Sequence, residues 1–183
     1  PREVGRLLLE PVILARARAT PKLMMANVYI VFYTRSVSKE FGGEWSYDLA
    51  WRPQHGFRTT PAWLSAVFHG QQTVARGLGI GAPVLVLLSA RSTLLPRWSP
   101  EMMRTDTAID VDGVAQRSVQ LGDLVTVARL DGALHDVVLS SRPVRALAYG
   151  RVAQWVGCLL DTSPSPRAAE SGRRRSGAGE LGG

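Results

Sequence analysis

Pro83-Val84-Leu85-Val86-Leu87-Leu88-Ser89 is an unbroken run of Val and Leu between a proline and a serine. A strand that is apolar at every position, and not only at alternate ones, suits a parallel sheet covered on both faces. Val125-Thr126-Val127-Ala128-Arg129-Leu130 reads as the second strand. Between them, Val114, Ala115 and Val119 mark a short helix with a narrow apolar face, with Asp112 placed to cap it and Gly122 to end it. After the second run Pro143 opens a longer helix, whose inner stripe reads Val144, Leu147, Ala148, Val152, Trp155, Val156 and Leu159. Strand, loop, helix, strand, loop, helix is the order of a right-handed parallel unit, so the expected fold class is α/β.

Two chemical groups fall just beyond the carboxyl ends of these runs, where open α/β sheets place their ligands. One is Asp106, in Arg104-Thr105-Asp106-Thr107-Ala108-Ile109-Asp110; the other is His135, in Asp131-Gly132-Ala133-Leu134-His135-Asp136. An imidazole that titrates near neutrality can take a proton from a hydroxyl, and a carboxylate behind it orients the ring and stabilises its charged form. Asp110 competes with Asp106 for that role, Asp112 reads as a cap, and Asp136 is expected to point away from its neighbour. The missing part is the nucleophile: the chain contains no Gly-x-Ser, hence no Gly-x-Ser-x-Gly elbow, and no glycine-rich oxyanion hairpin.

Upstream, residues 1–35 read as irregular helix, with Pro11 and Pro21 as breakers and Leu23 to Tyr33 as a core helix too short for the roughly 20 apolar residues of a membrane span. Residues 36–60 hold turn glycines and clustered aromatics without periodicity, which reads as a structured loop. Thr60-Pro61 is a helix start, with Leu64, Val67, Phe68, Ala75 and Leu78 at helical spacing and Gly77 and Gly79 as the stop. Gly77-Leu78-Gly79-Ile80-Gly81 precedes a strand and is a connector, not a phosphate loop. The expected organisation is an irregular helical segment (1–35), an entrance region with a helix (36–82), an α/β core (83–161) and a disordered tail from 162 to 183, rich in Ser, Pro, Gly and Arg.

The 183 residues, 45% hydrophobic and 20% charged, suit one globular unit or a large piece of a bigger one. The net charge of +7 is concentrated toward the ends, at Arg2, Arg6, Arg16, Arg18 and Lys22 and then Arg167 and Arg173 to Arg175. No aromatic-interleaved basic face accompanies it, so nucleic-acid binding is not expected. The single cysteine, Cys158, excludes an internal disulfide and reads as a buried, inert thiol in a reducing compartment, so a cytoplasmic protein is expected. His55, His69 and His135 lack metal-ligand spacing, and neither a metal nor a cofactor is expected.

On these residues the chain from about 27 to 158 resembles the C-terminal part of α/β-hydrolase serine hydrolases. It is most similar to the bacterial lysophospholipase, monoacylglycerol-lipase or serine-aminopeptidase-like subgroup. The stretches that carry the resemblance are Gly43 to Trp51, Pro83 to Leu87, Thr105 to Asp112 and Gly132 to Asp136. The resemblance implies that Asp106 is the catalytic acid and His135 the catalytic base. It also implies that Trp45, Tyr47 and Trp51 belong to a cap over the substrate pocket. The implied substrate is a small ester or lipid-like molecule, or an amide, and a complementing N-terminal half would carry the nucleophile. The alternative expectation is a truncated, non-catalytic domain acting as a binding or assembly partner. A third is a basic interaction protein working through its arginine-rich ends. A sheet cut before its first strands leaves an apolar edge, which predicts that the isolated chain aggregates or needs a partner.

Overall fold

The computed structural model of the chain describes residues 2–25, 30–53 and 56–162. The expectations for His55 and for the tail beyond Thr162 lie outside the described residues, as do positions 26–29 of the Leu23 to Tyr33 run. The centre of the fold is a two-stranded parallel sheet, β1 (Val84–Ser89) beside β2 (Val125–Leu130), in the register Val84 to Val125 through Ser89 to Leu130. Five helices accompany it: α1 (Arg2–Ala19), α2 (Ile30–Val37), α3 (Pro61–Ala75), α4 (Val111–Ser118) and α5 (Arg142–Thr162). The class is therefore α/β, with a small sheet.

Side-chain alternation along β2 assigns the helices to opposite faces of the sheet. Thr126 accepts from the Trp155 indole at 3.1 Å, and Leu130 packs with Ala148, so the even positions face α5. Arg129 reaches Asp112 on α4, so the odd positions face the other way. A first core forms where β2 ends and α5 begins, from Leu130, Ala133, Val137 and Ala148, with Leu87 and Val144 against it. A second core joins α2 to the loop after β2, through Tyr33, Val37 and Leu134, with Trp45, Tyr47 and Leu139 around it. This second core places the upstream segment against the loop that carries His135.

Several local expectations change in the structure. Pro11 does not break α1, which runs through it from Arg2 to Ala19; α1 packs along α3, where Gln72 donates to Glu10 at 2.9 Å. A proline inside a helix removes one ladder bond, and neighbouring packing keeps the remainder helical. Among the described residues of the Leu23 to Tyr33 run, those from Ile30 are helical, and Leu23 and Met24 are exposed. The start of α3 is as expected, with Thr60 accepting from the Trp63 amide and Pro61 in the first turn. Gly77, at φ +89°, takes the left-handed conformation just past the end of α3.

Asp112 does not cap α4: Asp110 holds the capping position, and Asp112 lies in the first turn, paired with Arg129. Val119, expected on the apolar face of α4, is exposed. Gly122 lies beyond the end of α4 and is required elsewhere. A Cβ there would stand 2.2 Å from the Ile80 carbonyl oxygen, where the two segments leading into β1 and β2 bridge. The inner stripe of α5 is only partly inner. Ala148 is fully buried, whereas Leu147, Val152 and Val156 are exposed. Two strands are too narrow to cover the whole of this stripe. For the same reason Cys158 is exposed, not buried, and β1 is fully buried only at Leu88 and Ser89. Among the described residues no helix is long and apolar enough to cross a membrane.

Candidate active site

Asp106 is positioned by its own backbone. Its amide donates to the Arg91 carbonyl at 2.9 Å, and its carbonyl accepts from the Thr93 amide at 2.8 Å, so the chain returns as one more parallel rung beyond the end of β1. The long connection between β1 and Asp106 is thus folded back on itself, and Thr105 and Thr93 join across it by a hydroxyl hydrogen bond of 2.8 Å. Asp106 is 1% exposed, and its carboxylate is saturated on one side: Oδ1 accepts from the amides of Ala108 at 2.7 Å and Ile109 at 2.9 Å. These bonds fix the rotamer and turn Oδ2 toward the loop after β2.

There Oδ2 meets the Nδ1 of His135 at 2.9 Å. A carboxylate can only accept, so Nδ1 carries a proton, and in the neutral ring Nε2 presents its lone pair. No hydrogen-bond partner stands at Nε2 among the described residues. The hydrogen bond to Asp106 raises the His135 pKa above its ordinary 6.5, against the opposite pull of burial; the Asp136 charge adds to the rise and Arg52 opposes it. Asp110, the other candidate acid, sits at the start of α4.

The His135 loop is tied down at several points. Gly132 turns it at φ +74°, a conformation that favours glycine. The Leu134 amide donates to the fully buried Ser140 hydroxyl at 2.9 Å, which closes the loop across the histidine. From the entrance segment, the Trp45 indole donates to the Leu139 carbonyl at 2.8 Å, and Glu44 accepts from the Arg142 amide at 3.1 Å. Glu44 also pairs with Arg145, whose guanidinium lies 4.7 Å from the Trp45 ring centre.

At the other end of the loop the Tyr33 hydroxyl donates to Asp136, which also pairs with Arg52 at 3.6 Å. The Tyr33 ring meets the His135 ring edge to face, with centroids 5.5 Å apart. Burial, and then the hydrogen bond to Asp136, push the Tyr33 hydroxyl pKa well above its ordinary value, so it stays protonated and a donor. Asp136 is thus held by Tyr33 and Arg52, partners that were not legible in the sequence. Nothing in a single sequence links position 33 or 52 to position 136. The one available signal was an acidic residue directly beside the histidine.

Two cavities adjoin the loop. One, of about 370 Å³, is lined by His135, Asp136, Tyr33, Arg52, Phe57 and Ala108. The other, of about 500 Å³ and largely apolar, is lined by Val37, Trp45, Tyr47, Trp51, Arg52 and Leu139. The three aromatic residues singled out from the sequence therefore come together on one cavity, although Trp51 is 83% exposed. Arg52 lines both cavities. His69 is exposed on α3 and faces the Ser65 carbonyl, far in sequence from the site residues. Among the described residues no cluster of His, Cys, Asp and Glu could hold a metal ion. No known family model, curated protein or solved structure matches the chain.

Proposed function

We propose that this chain is the acid and base half of an α/β-hydrolase-type serine hydrolase, acting on small ester or lipid-like substrates or on amides. The observation that carries the reading is the 2.9 Å contact from buried Asp106 to His135 Nδ1, which leaves Nε2 without a partner among the described residues, on a cavity. In this reaction a serine hydroxyl supplied by a complementing segment gives its proton to Nε2 as its oxygen attacks the substrate carbonyl. Asp106 stabilises the imidazolium, which then passes the proton to the leaving oxygen or nitrogen as that bond breaks. Water repeats the sequence on the acyl-serine: His135 takes the water's proton, the acid product departs, and the proton returns to the serine.

A specific feature supports a second reading, a non-catalytic binding or assembly domain: the sequence holds no Gly-x-Ser-x-Gly elbow. Co-expression of the chain with the coding sequence that precedes it, followed by fluorophosphonate labelling, separates the two. The hydrolase reading expects a serine to be labelled and His135→Ala to abolish the label. Absence of labelling, or labelling indifferent to His135, overturns it in favour of the binding domain.

A further inference from the structure

Two stretches of the chain are free of acidic residues: no aspartate or glutamate falls within 11–39 or 49–100. Basic residues do fall there, and Arg16, Arg18, Lys22 and Arg58 are exposed. The fold joins the two stretches where α1 has ended and α3 begins. The Met25 amide donates to the Thr59 carbonyl at 2.8 Å, the Ala62 amide to the Pro21 carbonyl at 3.4 Å, and the Arg58 guanidinium to the Met24 carbonyl at 3.5 Å. Four large apolar side chains stand exposed at this junction: Leu23, Met24, Phe57 at 65% and Trp63 at 55%. Lys22 and Arg58 adjoin them in the chain, and neither stretch holds an acid to neutralise these cations. Glu10, just before the first stretch, is bonded to Gln72 on α3.

An apolar cluster open to water marks an interaction surface. Here rings and aliphatic chains stand beside charge of one sign, which narrows the occupant. Aromatic rings sit at the headgroup level of a bilayer, aliphatic side chains reach the acyl boundary, and lysine and arginine meet anionic headgroups. A single-stranded nucleic acid would use the rings and the cations, but Leu23 and Met24 offer no face for a base to stack on. A protein partner would need a surface both acidic and apolar, which a bilayer of anionic lipid has by composition. We propose that the junction of α1 and α3 docks on the headgroup region of an anionic lipid bilayer. Phe57 also lines the cavity of His135, so the docked bilayer borders that cavity. Docking needs neither the nucleophile nor His135, and the proposal goes beyond the hydrolase reading without resting on it.

The test floats the full chain through a density gradient with vesicles of phosphatidylcholine, alone or with about one-third phosphatidylglycerol. Bound chain rises with the lipid, and aggregates sink. The chain is expected to rise with the anionic vesicles and to stay behind with the neutral ones. Trp63→Ser is expected to weaken partition roughly tenfold, and Lys22→Gln and Arg58→Gln roughly fivefold each; His135→Ala floats like the unmodified chain. Absence of flotation overturns the proposal, and equal flotation with neutral vesicles overturns the anionic assignment. Flotation indifferent to Trp63→Ser but lost when Arg173, Arg174 and Arg175 are replaced by Gln moves the contact to the tail and overturns the junction. Should Trp63→Ser fail to fold, undiminished flotation of Met24→Ser does the same. Tighter binding of a thymidine oligonucleotide than of the anionic vesicles reassigns the surface to nucleic acid. Flotation abolished by co-expression with the preceding coding sequence reassigns it to that segment. Flotation without fluorophosphonate labelling would sink the hydrolase reading alone, and labelling without flotation would sink this proposal alone.

Discussion

Tyr33 and Asp136, 103 residues apart in sequence, are joined by a hydrogen bond that fastens α2 to the loop of His135. Asp136 keeps Arg52 as a second partner and is half exposed, so losing the phenol does not leave the carboxylate stranded. Tyr33→Phe is therefore expected to cost about 1 kcal/mol, the net value of one ordinary hydrogen bond. The larger effect is local: amides of 133–139 exchange faster while those of β1 and β2 do not, as hydrogen exchange read by NMR would show. Uniform acceleration through the sheet would mean that the bond supports the whole fold and not this loop.

Asp106→Asn tests the other side of the histidine. The amide oxygen can keep the bonds from Ala108 and Ile109, which places the NH₂ group against Nδ1. Two donors cannot share one bond, so His135 is expected to shift its proton to Nε2 and lose its base character. The change is expected to destabilise the chain by about 1–3 kcal/mol, the cost of a buried polar contact broken on one side. Long-range proton–nitrogen spectra report the tautomer directly, and an Nδ1–H form persisting in the variant would contradict the assigned role of Asp106.

The raised pKa of His135 carries a pH dependence of definite sign. The folded chain holds this proton more tightly than the unfolded one, whose histidine titrates at the ordinary 6.5. The pair's contribution is therefore full below 6.5, declines as pH rises toward the raised folded value, and is gone above it. Urea unfolding from about pH 5 to about pH 9 is expected to show this decline, and Asp106→Asn to flatten it. The proposed reaction has the opposite trend, because the base must be neutral, so labelling by a fluorophosphonate rises across the same window.

The sheet and the dyad were legible because their signals are local. A continuous apolar run marks β1 and a Val-rich one β2, and chemical type plus placement after a strand picks out Asp106 and His135. What escaped was set by packing partners. The exposure of Cys158 and of Leu147, Val152 and Val156 follows from the width of the sheet under α5, which periodicity does not report. Continuation of α1 through Pro11 follows from its contact with α3. The Tyr33, Arg52 and Asp136 network, and the grip of Glu44 and Trp45 on the loop, join residues about a hundred positions apart and leave no local trace.

Two glycines should respond oppositely to alanine. A Cβ at Gly43 would lie 2.2 Å from both the carbonyl carbon and oxygen of Val37, backbone that is itself bonded to the Trp45 amide. Gly43→Ala is expected to cost about 1–3 kcal/mol, as an overpacked site does, and to loosen the entrance segment. Gly150, within α5, has nothing near a new Cβ. Gly150→Ala is expected to gain about 0.5–1 kcal/mol through helix propensity. Thermal unfolding of the two variants side by side decides the matter, and a neutral Gly43→Ala would mean that the close approach to Val37 is not kept in solution.

The last expectation concerns the sheet itself. Parallel sheets are ordinarily enclosed, and a pair of strands is marginal alone. Among the described residues β1 pairs only with β2, and α5 carries Leu147, Val152, Val156 and Leu160 exposed. Exposed apolar surface of this kind associates. Light scattering behind size exclusion is expected to show mass rising with protein concentration, and Val156→Lys with Leu160→Lys to reduce it. These positions lie one turn apart on the outer part of α5, so the charges act there without touching the His135 site. If the unmodified chain runs as a monomer at all concentrations and melts cooperatively, the two strands and their helices suffice as a folded unit. A complementing segment is then unnecessary for stability, and the case for one rests on the missing nucleophile alone.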